Sequence, residues 1–290
     1  MPRTGTCEPF ELTGVAPAPG SRGVAPNVTL TATFSDFPEP ETVNAGSIFL
    51  FTGGFYHTGR FWVDLVDRRA LFKTSGDLRA GLGYTFVVKP TIRSLRGCLL
   101  QPPPPDGISA NAPTVYAFQF QTVADGESRL PVPVPAGPTT YGQVISVFGA
   151  HCAGGGCHLD LATTERATSG AARSAAGLAS GPASGLAPAL ALAIPSEPAS
   201  ARCLAAPGGG LSLCERDARA ALVGVPSRQV SPLVLVASSD SSRSYLLRKL
   251  VGAPPLVGHS GVPSSNDDLT QEDKRIIQDW IDRGAPAGSP

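Results

Sequence analysis

The sequence predicts a multidomain protein, an N-terminal all-β sandwich followed by a mostly α-helical C-terminal domain, and three observations carry that expectation. Short runs of alternating apolar and polar residues recur up to about residue 120. A Pro-rich stretch, residues 123–140, then breaks the pattern. Beyond it, helical spacing takes over and a compact cluster, Cys152-x4-Cys157-His158, appears. The expected boundaries are 8–122 for the sandwich, 123–140 for an extended linker and 141–290 for the second domain. At about 150 residues per domain, a chain of 290 residues accommodates two cores.

The first strand signal is VTLTATF, residues 28–34, in which Val28, Leu30, Ala32 and Phe34 share one face. SIFLF (47–51), RFWVDLV (60–66), YTFVV (84–88) and VYAFQF (115–120) follow, separated by Gly, Pro, Asn and Asp. Regular short strands with such turns read as a sandwich, and no useful helical periodicity precedes residue 135. His57, in GGFYHTG, reads as a solvated residue at a hairpin tip.

Taken in order, PAPGSRGVAPNVTLTATFS, TVNAGSIFL, LRAGLGYTFVV, SLRGC and FQFQT resemble the bacterial Ig-like domains of surface-layer and secreted proteins over about residues 13–122. That resemblance implies a spacer, docking or adhesion module. No catalytic constellation is visible in it.

Composition narrows the function classes. Lys plus Arg and Asp plus Glu both number 23, so the formal net charge is zero, which argues against a nucleic-acid footprint. Charged residues are 16%, below the usual ~25%, while Gly (33) and Pro (29) are enriched, as in a loop-rich chain. The most apolar stretch, near Leu186–Ile194, is about ten residues long and contains Pro188, whereas a membrane span needs roughly 20.

Six scattered cysteines suit an oxidising compartment. Cys7 with Cys98, and Cys203 with Cys214, are the expected disulfides. The opening residues lack a signal-peptide core, and the cysteine pattern favours an exported protein with its signal removed, periplasmic or at the cell surface. A lipid anchor at Cys7 is a further possibility, in a poor sequence context.

Residues 143–158, QVISVFGAHCAGGGCH, carry the chemistry. Two thiols can form thioethers to the two vinyl groups of one porphyrin, and the adjacent imidazole of His158 can ligate its iron. The usual spacing is Cys-x-x-Cys-His, and Gly154–Gly156 supply the freedom that two extra residues demand. A Cys152–Cys157 disulfide with His158 on the surface is the competing reading. Zinc on His151, Cys152, Cys157 and His158 is a third, strained because four ligands fall within eight residues.

The string VFGAHCAGGGCH, LDL (159–161), ARAALVGVPS (218–227), SPLVLVASSDSSRSYLLRKLVG (231–252) and LTQEDKRIIQDWIDRGAP (269–286) resembles small c-type cytochrome domains. The resemblance implies covalent haem c on Cys152 and Cys157, His158 as proximal iron ligand, and one-electron transfer with a redox partner protein. It also implies a Met as sixth ligand, where this chain has GHSGVP; its one methionine is Met1. His259 is then the candidate sixth ligand, and an open site or a haem-free scaffold are the alternatives. A cofactor-free, disulfide-stapled cell-surface structural or adhesion protein is the rival to the whole reading. No enzyme signature accompanies either, although an open haem site is compatible with peroxidase-like chemistry.

Two helices follow from the residues alone. Thr270 and Asp273 form a capping-box pattern, and Ile276, Ile277, Trp280 and Ile281 share one face, with Gly284 and Pro286 as stops. Tyr245, Leu246 and Leu250 give an earlier helix a similar face before Gly252. Residues 162–202, dominated by Ala, Ser, Gly and Pro, extend with Cys203 and Cys214 into an insertion at about 162–215 that the cytochrome-like motifs do not require.

Overall fold

The structure, a computed structural model, describes residues 7–103, 115–124, 139–152, 213, 218–254 and 269–287. The chain divides into two compact units, Met1–Val144 with Leu222–Pro290, and Ile145–Ala221.

The first unit contains two four-stranded antiparallel sheets. One has the order β1 (Leu12–Ala16), β2 (Leu30–Phe34), β6 (Arg69–Thr74), β5 (Gly59–Asp64). The other has the order β4 (Phe55–Tyr56), β3 (Ile48–Thr52), β7 (Gly83–Val88), β8 (Tyr116–Gln121). The β-rich N-terminal half is therefore as expected. Leu30, Ala32 and Phe34 alternate into the core, and Val28 is half-buried ahead of the strand. They meet Ala70 and Phe72 across the sheet and Ile48, Leu50, Tyr84, Phe86 and Phe120 among the buried residues of the other. Each fully buried Leu, Ile or Phe among them contributes about 1.5–3 kcal/mol relative to exposure.

Local chemistry sets the registers. Gly53 and Gly54 both have positive φ (53° and 86°) in the two-residue β3–β4 turn, a conformation that suits the right-handed twist of a hairpin. At Gly59 a Cβ would collide with the carbonyl oxygen of Lys73, so only glycine lets β5 lie this close to β6. In the β5–β6 turn, Asp64 Oδ1 accepts from the Asp67 amide at 3.1 Å, and Arg69 Nη2 donates to Asp64 Oδ2 at 2.7 Å. Cys7 and Cys98 form a disulfide spanning 91 positions, with Cα atoms 5.5 Å apart. Beside it Phe10 bridges Leu100 and stacks on Phe34, ring centroids 5.2 Å apart.

The C-terminal half contributes α1 (Tyr141–Cys152), α2 (Ala218–Leu222), α3 (Tyr245–Val251) and α4 (Gln271–Asp282). Helix α4 starts as the sequence predicts: Asp273 N donates to Thr270 Oγ1 at 3.1 Å, and Thr270 N donates to Asp273 Oδ2 at 3.0 Å. It buries Ile277, Trp280 and Ile281, with Ile276 half-buried. Helix α3 differs from expectation. Its buried residues are Tyr245, Leu247 and Arg248, while Leu246 and Leu250 are half-buried. Burial of Arg248 is tolerated because its Nε donates to the Ser242 carbonyl at 2.8 Å. Burial pulls its pKa down, and Glu41, Asp240 and Glu39 oppose that pull.

Helix α4 also meets the sandwich within the first unit. Arg275 Nη2 donates to Asp67 Oδ1 at 2.9 Å, and the Val66 amide donates to Gln278 Oε1 at 3.4 Å. The Tyr141 and Trp280 rings lie 6.0 Å apart, and the Thr139 amide donates to Asp279 Oδ2 at 3.1 Å. In the second unit, Val147, Phe148, Leu213 and Ala218 are buried.

Candidate functional site

Helix α1 ends on Cys152, the first residue of the Cys-x4-Cys-His cluster, with His151 half-buried one position earlier. Cys157, His158 and His259 lie outside the described residues, as do Cys203 and Cys214 and nearly all of the expected linker and insertion. The sulfur of Cys7 is bonded to Cys98, so it is not available to carry a lipid thioether. Among the described residues there is no group of three or more His, Cys, Asp or Glu side chains placed to hold a metal ion.

His57 departs from the solvated hairpin tip read from the sequence. The tip is Gly53-Gly54, and His57 follows β4, half-buried, with its ring 5.4 Å from that of Tyr84. Its backbone amide donates to Leu50 O at 2.9 Å, which draws the residue in against the sheet. Its Nε2 is buried without a hydrogen-bond partner among the described residues, and burial lowers its pKa.

A cavity of about 750 Å³ runs along β5. One wall is Gly59–Val63 and Lys73–Ser75; the other is Ser239–Arg243 with Asp282. Sequence reasoning missed it, because its walls come from segments more than 160 positions apart.

Arg60 sits at its mouth, exposed, with its guanidinium carbon 5.9 Å from the Trp62 ring centroid. Lys73 Nζ donates to the Asn27 carbonyl. Arg243 lies between Glu41 (3.4 Å) and Asp240 (3.6 Å). Asp282 accepts from the Ser241 amide at 2.9 Å. Burial raises the Asp282 pKa; Ser241 bonding opposes that rise, and Asp240 and Asp64 add to it. The one hint in the sequence is Asp282 itself, an acid directly after the core residue Ile281.

Residues 7–122 match the family model for the bacterial Ig-like domain. With the two antiparallel sheets this makes the N-terminal region an Ig-like β-sandwich. No curated protein matches the chain. Among solved structures, the N-terminal part of the bacterial S-layer protein SbsC aligns at 12% identity, over 46% of this chain and 27% of its own, with a TM-score of 0.29. CopC from Methylosinus trichosporium OB3b aligns at 14% identity, over 41% of this chain and 98% of its own, with a TM-score of 0.30. PcoC, a copper resistance protein from Escherichia coli, aligns at 13% identity, over 40% of this chain and 99% of its own, with a TM-score of 0.26. The chain thus spans about a quarter of the S-layer fragment. No helix among the described residues is long and apolar enough to cross a membrane.

Proposed function

We propose that this is an exported, cell-surface or periplasmic haem-binding protein, in which the Ig-like domain acts as spacer or docking module for a C-terminal c-type cytochrome-like segment. The observation that carries the reading is the position of the cysteine motif. It begins on Cys152, the last residue of α1, with Cys157 and His158 five and six positions further on in sequence. The donor set fits covalent haem: Cys152 and Cys157 would supply the two thioethers and His158 would bind the iron, with His259 as a candidate further ligand. When bound, the haem would supply one-electron transfer to a partner protein. The chain's own part would be to hold the porphyrin covalently and to bring the imidazole of His158 to its iron.

Export is supported by the bacterial Ig-like domain and by the Cys7–Cys98 bond, which suits an oxidising compartment. The test is the visible spectrum of protein exported alongside haem-attachment machinery, compared with Cys152→Ala/Cys157→Ala. Loss of a c-type spectrum in the double variant is expected. An identical spectrum in both proteins would overturn the reading.

The Cys7–Cys98 bond also favours a second reading, a haem-free structural or adhesion protein whose cysteines all serve as staples. Under it, Cys152 and Cys157 are oxidised to each other and the intact mass shows no haem.

A further inference from the structure

We infer that the cleft along β5 is a peptide-binding groove that adds one extended strand, with alternating acidic and apolar residues, to the edge of the first sheet. Strand β5 is the outermost strand of its sheet. Just before it, the Ser75 amide donates to the Thr58 carbonyl at 2.9 Å, making Thr58 and Ser75 a hydrogen-bonded pair. Antiparallel ladders alternate, so Arg60, Trp62 and Asp64 bond to Lys73, Leu71 and Arg69 in turn. The main-chain groups of Gly59, Phe61 and Val63 therefore point away from β6. None of their N–H or C=O groups has a hydrogen-bond partner among the described residues. All three residues line the 750 Å³ cleft. A row of unpaired donors and acceptors facing a cavity is the arrangement that strand addition uses.

Side chains around the edge define the occupant. On the outer face, Arg60 pairs across the ladder with Lys73, two like charges side by side. Neither has a carboxylate partner among the described residues. An acidic side chain on the added strand would lie beside this pair. On the inner face, half-buried Phe61 offers apolar surface to an alternate position, with Val43 and Val63 buried behind it in the wall of the cleft.

The same charges disfavour a second copy of the chain, since pairing two β5 edges would bring two Arg60–Lys73 pairs together. The opposite wall, Ser239–Arg243 and Asp282, belongs to the same unit as β5.

The test uses the full chain and an acetylated Val-Asp-repeat nonapeptide, with two controls: the same peptide N-methylated at alternate amides, and a Val-Lys repeat. Saturable binding of the Val-Asp peptide is expected, with at least tenfold slower amide exchange at Gly59, Phe61 and Val63. Arg60→Glu, an exposed position, should weaken Val-Asp binding at least tenfold and strengthen Val-Lys binding. Three results would overturn the inference: no Val-Asp binding, equal binding of the N-methylated peptide, or amides of Gly59, Phe61 and Val63 already as protected in the free protein as those of Arg60, Trp62 and Asp64. A dimer in which those three amides become protected would replace it with self-association. The methylated-peptide comparison needs no protein variant, so it stands even if Arg60→Glu perturbs folding.

Discussion

Arg275 of α4 clasps Asp67 of the β5–β6 turn, with Nη2 2.9 Å from one carboxylate oxygen and 3.2 Å from the other, across 208 positions of sequence. Asp67 also accepts from Arg69, which in turn holds Asp64. The ion pair closes a seam at which the last helix rests on the sandwich. Arg275 is about half exposed, so the pair adds little stability of its own: Asp67→Asn should cost about 0.2–1 kcal/mol. Urea titration followed by both far-ultraviolet dichroism and tryptophan fluorescence would check this. Coincident transitions in wild type and variant are expected, because the seam also contains the Val66–Gln278 bond and the buried face of α4.

Two aspartates on α4 should respond to pH in opposite directions. Burial pushes Asp279 up, but hydrogen bonds from Arg283 and Thr139 outweigh it and hold the carboxyl below its ordinary value. Its contribution is present above the unfolded-state pKa and is lost as pH falls through the folded value. Asp282 is raised, chiefly by burial, so its contribution is present at low pH and is lost as pH rises through the folded value. Asp279→Asn should therefore destabilise at neutral pH and matter less in acid. Asp282→Asn, which keeps an acceptor for the Ser241 amide, should be neutral or stabilising at neutral pH. Chemical denaturation of both variants at about pH 7 and about pH 4 measures the contrast.

Trp280 is fully buried, and its indole Nε1 donates to the Pro286 carbonyl at 2.9 Å. Trp280→Ala should cost about 3–5 kcal/mol through the cavity it leaves. Trp280→Phe keeps most of the volume and should lose about 1 kcal/mol for the hydrogen bond, plus a smaller packing cost. Denaturant midpoints of the two variants separate these contributions.

The Cys7–Cys98 disulfide closes a loop of 91 positions. Replacing both cysteines by alanine should lower stability by about 2–5 kcal/mol, because the unfolded chain regains the freedom the cross-link removes. Thermal unfolding of the double variant beside the oxidised parent tests it. A shift absent under oxidising conditions would mean that the bond is not formed.

Much of the sandwich was legible in the sequence, because a strand with one buried face must alternate. Leu30, Ala32 and Phe34 do so, and the runs that become β3, β5, β7 and β8 were also visible. Strand β6 was not, because its core positions, Ala70, Phe72 and Thr74, include only one large apolar residue among outward Arg69, Leu71 and Lys73. Strand β1 escaped because it is an edge strand with no clean alternation. In α3 the apolar spacing pointed to Leu246 and Leu250, yet the fold buries Leu247 and the guanidinium of Arg248. A local carbonyl acceptor at Ser242 makes that possible, and no hydrophobicity pattern reveals it. The capping box of α4 was legible because its chemistry is confined to four consecutive residues. The β5 cleft was not, since setting an edge strand opposite residues 239–243 is a tertiary fact.

The most direct test of the central claim is a pyridine haemochrome spectrum with intact mass, on full-length protein exported alongside haem-attachment machinery. A c-type spectrum and the added mass of one haem, both lost in Cys152→Ala/Cys157→Ala, is the predicted result. A protein of unmodified mass apart from oxidised cysteines, with Cys152 and Cys157 bonded to each other, would contradict it.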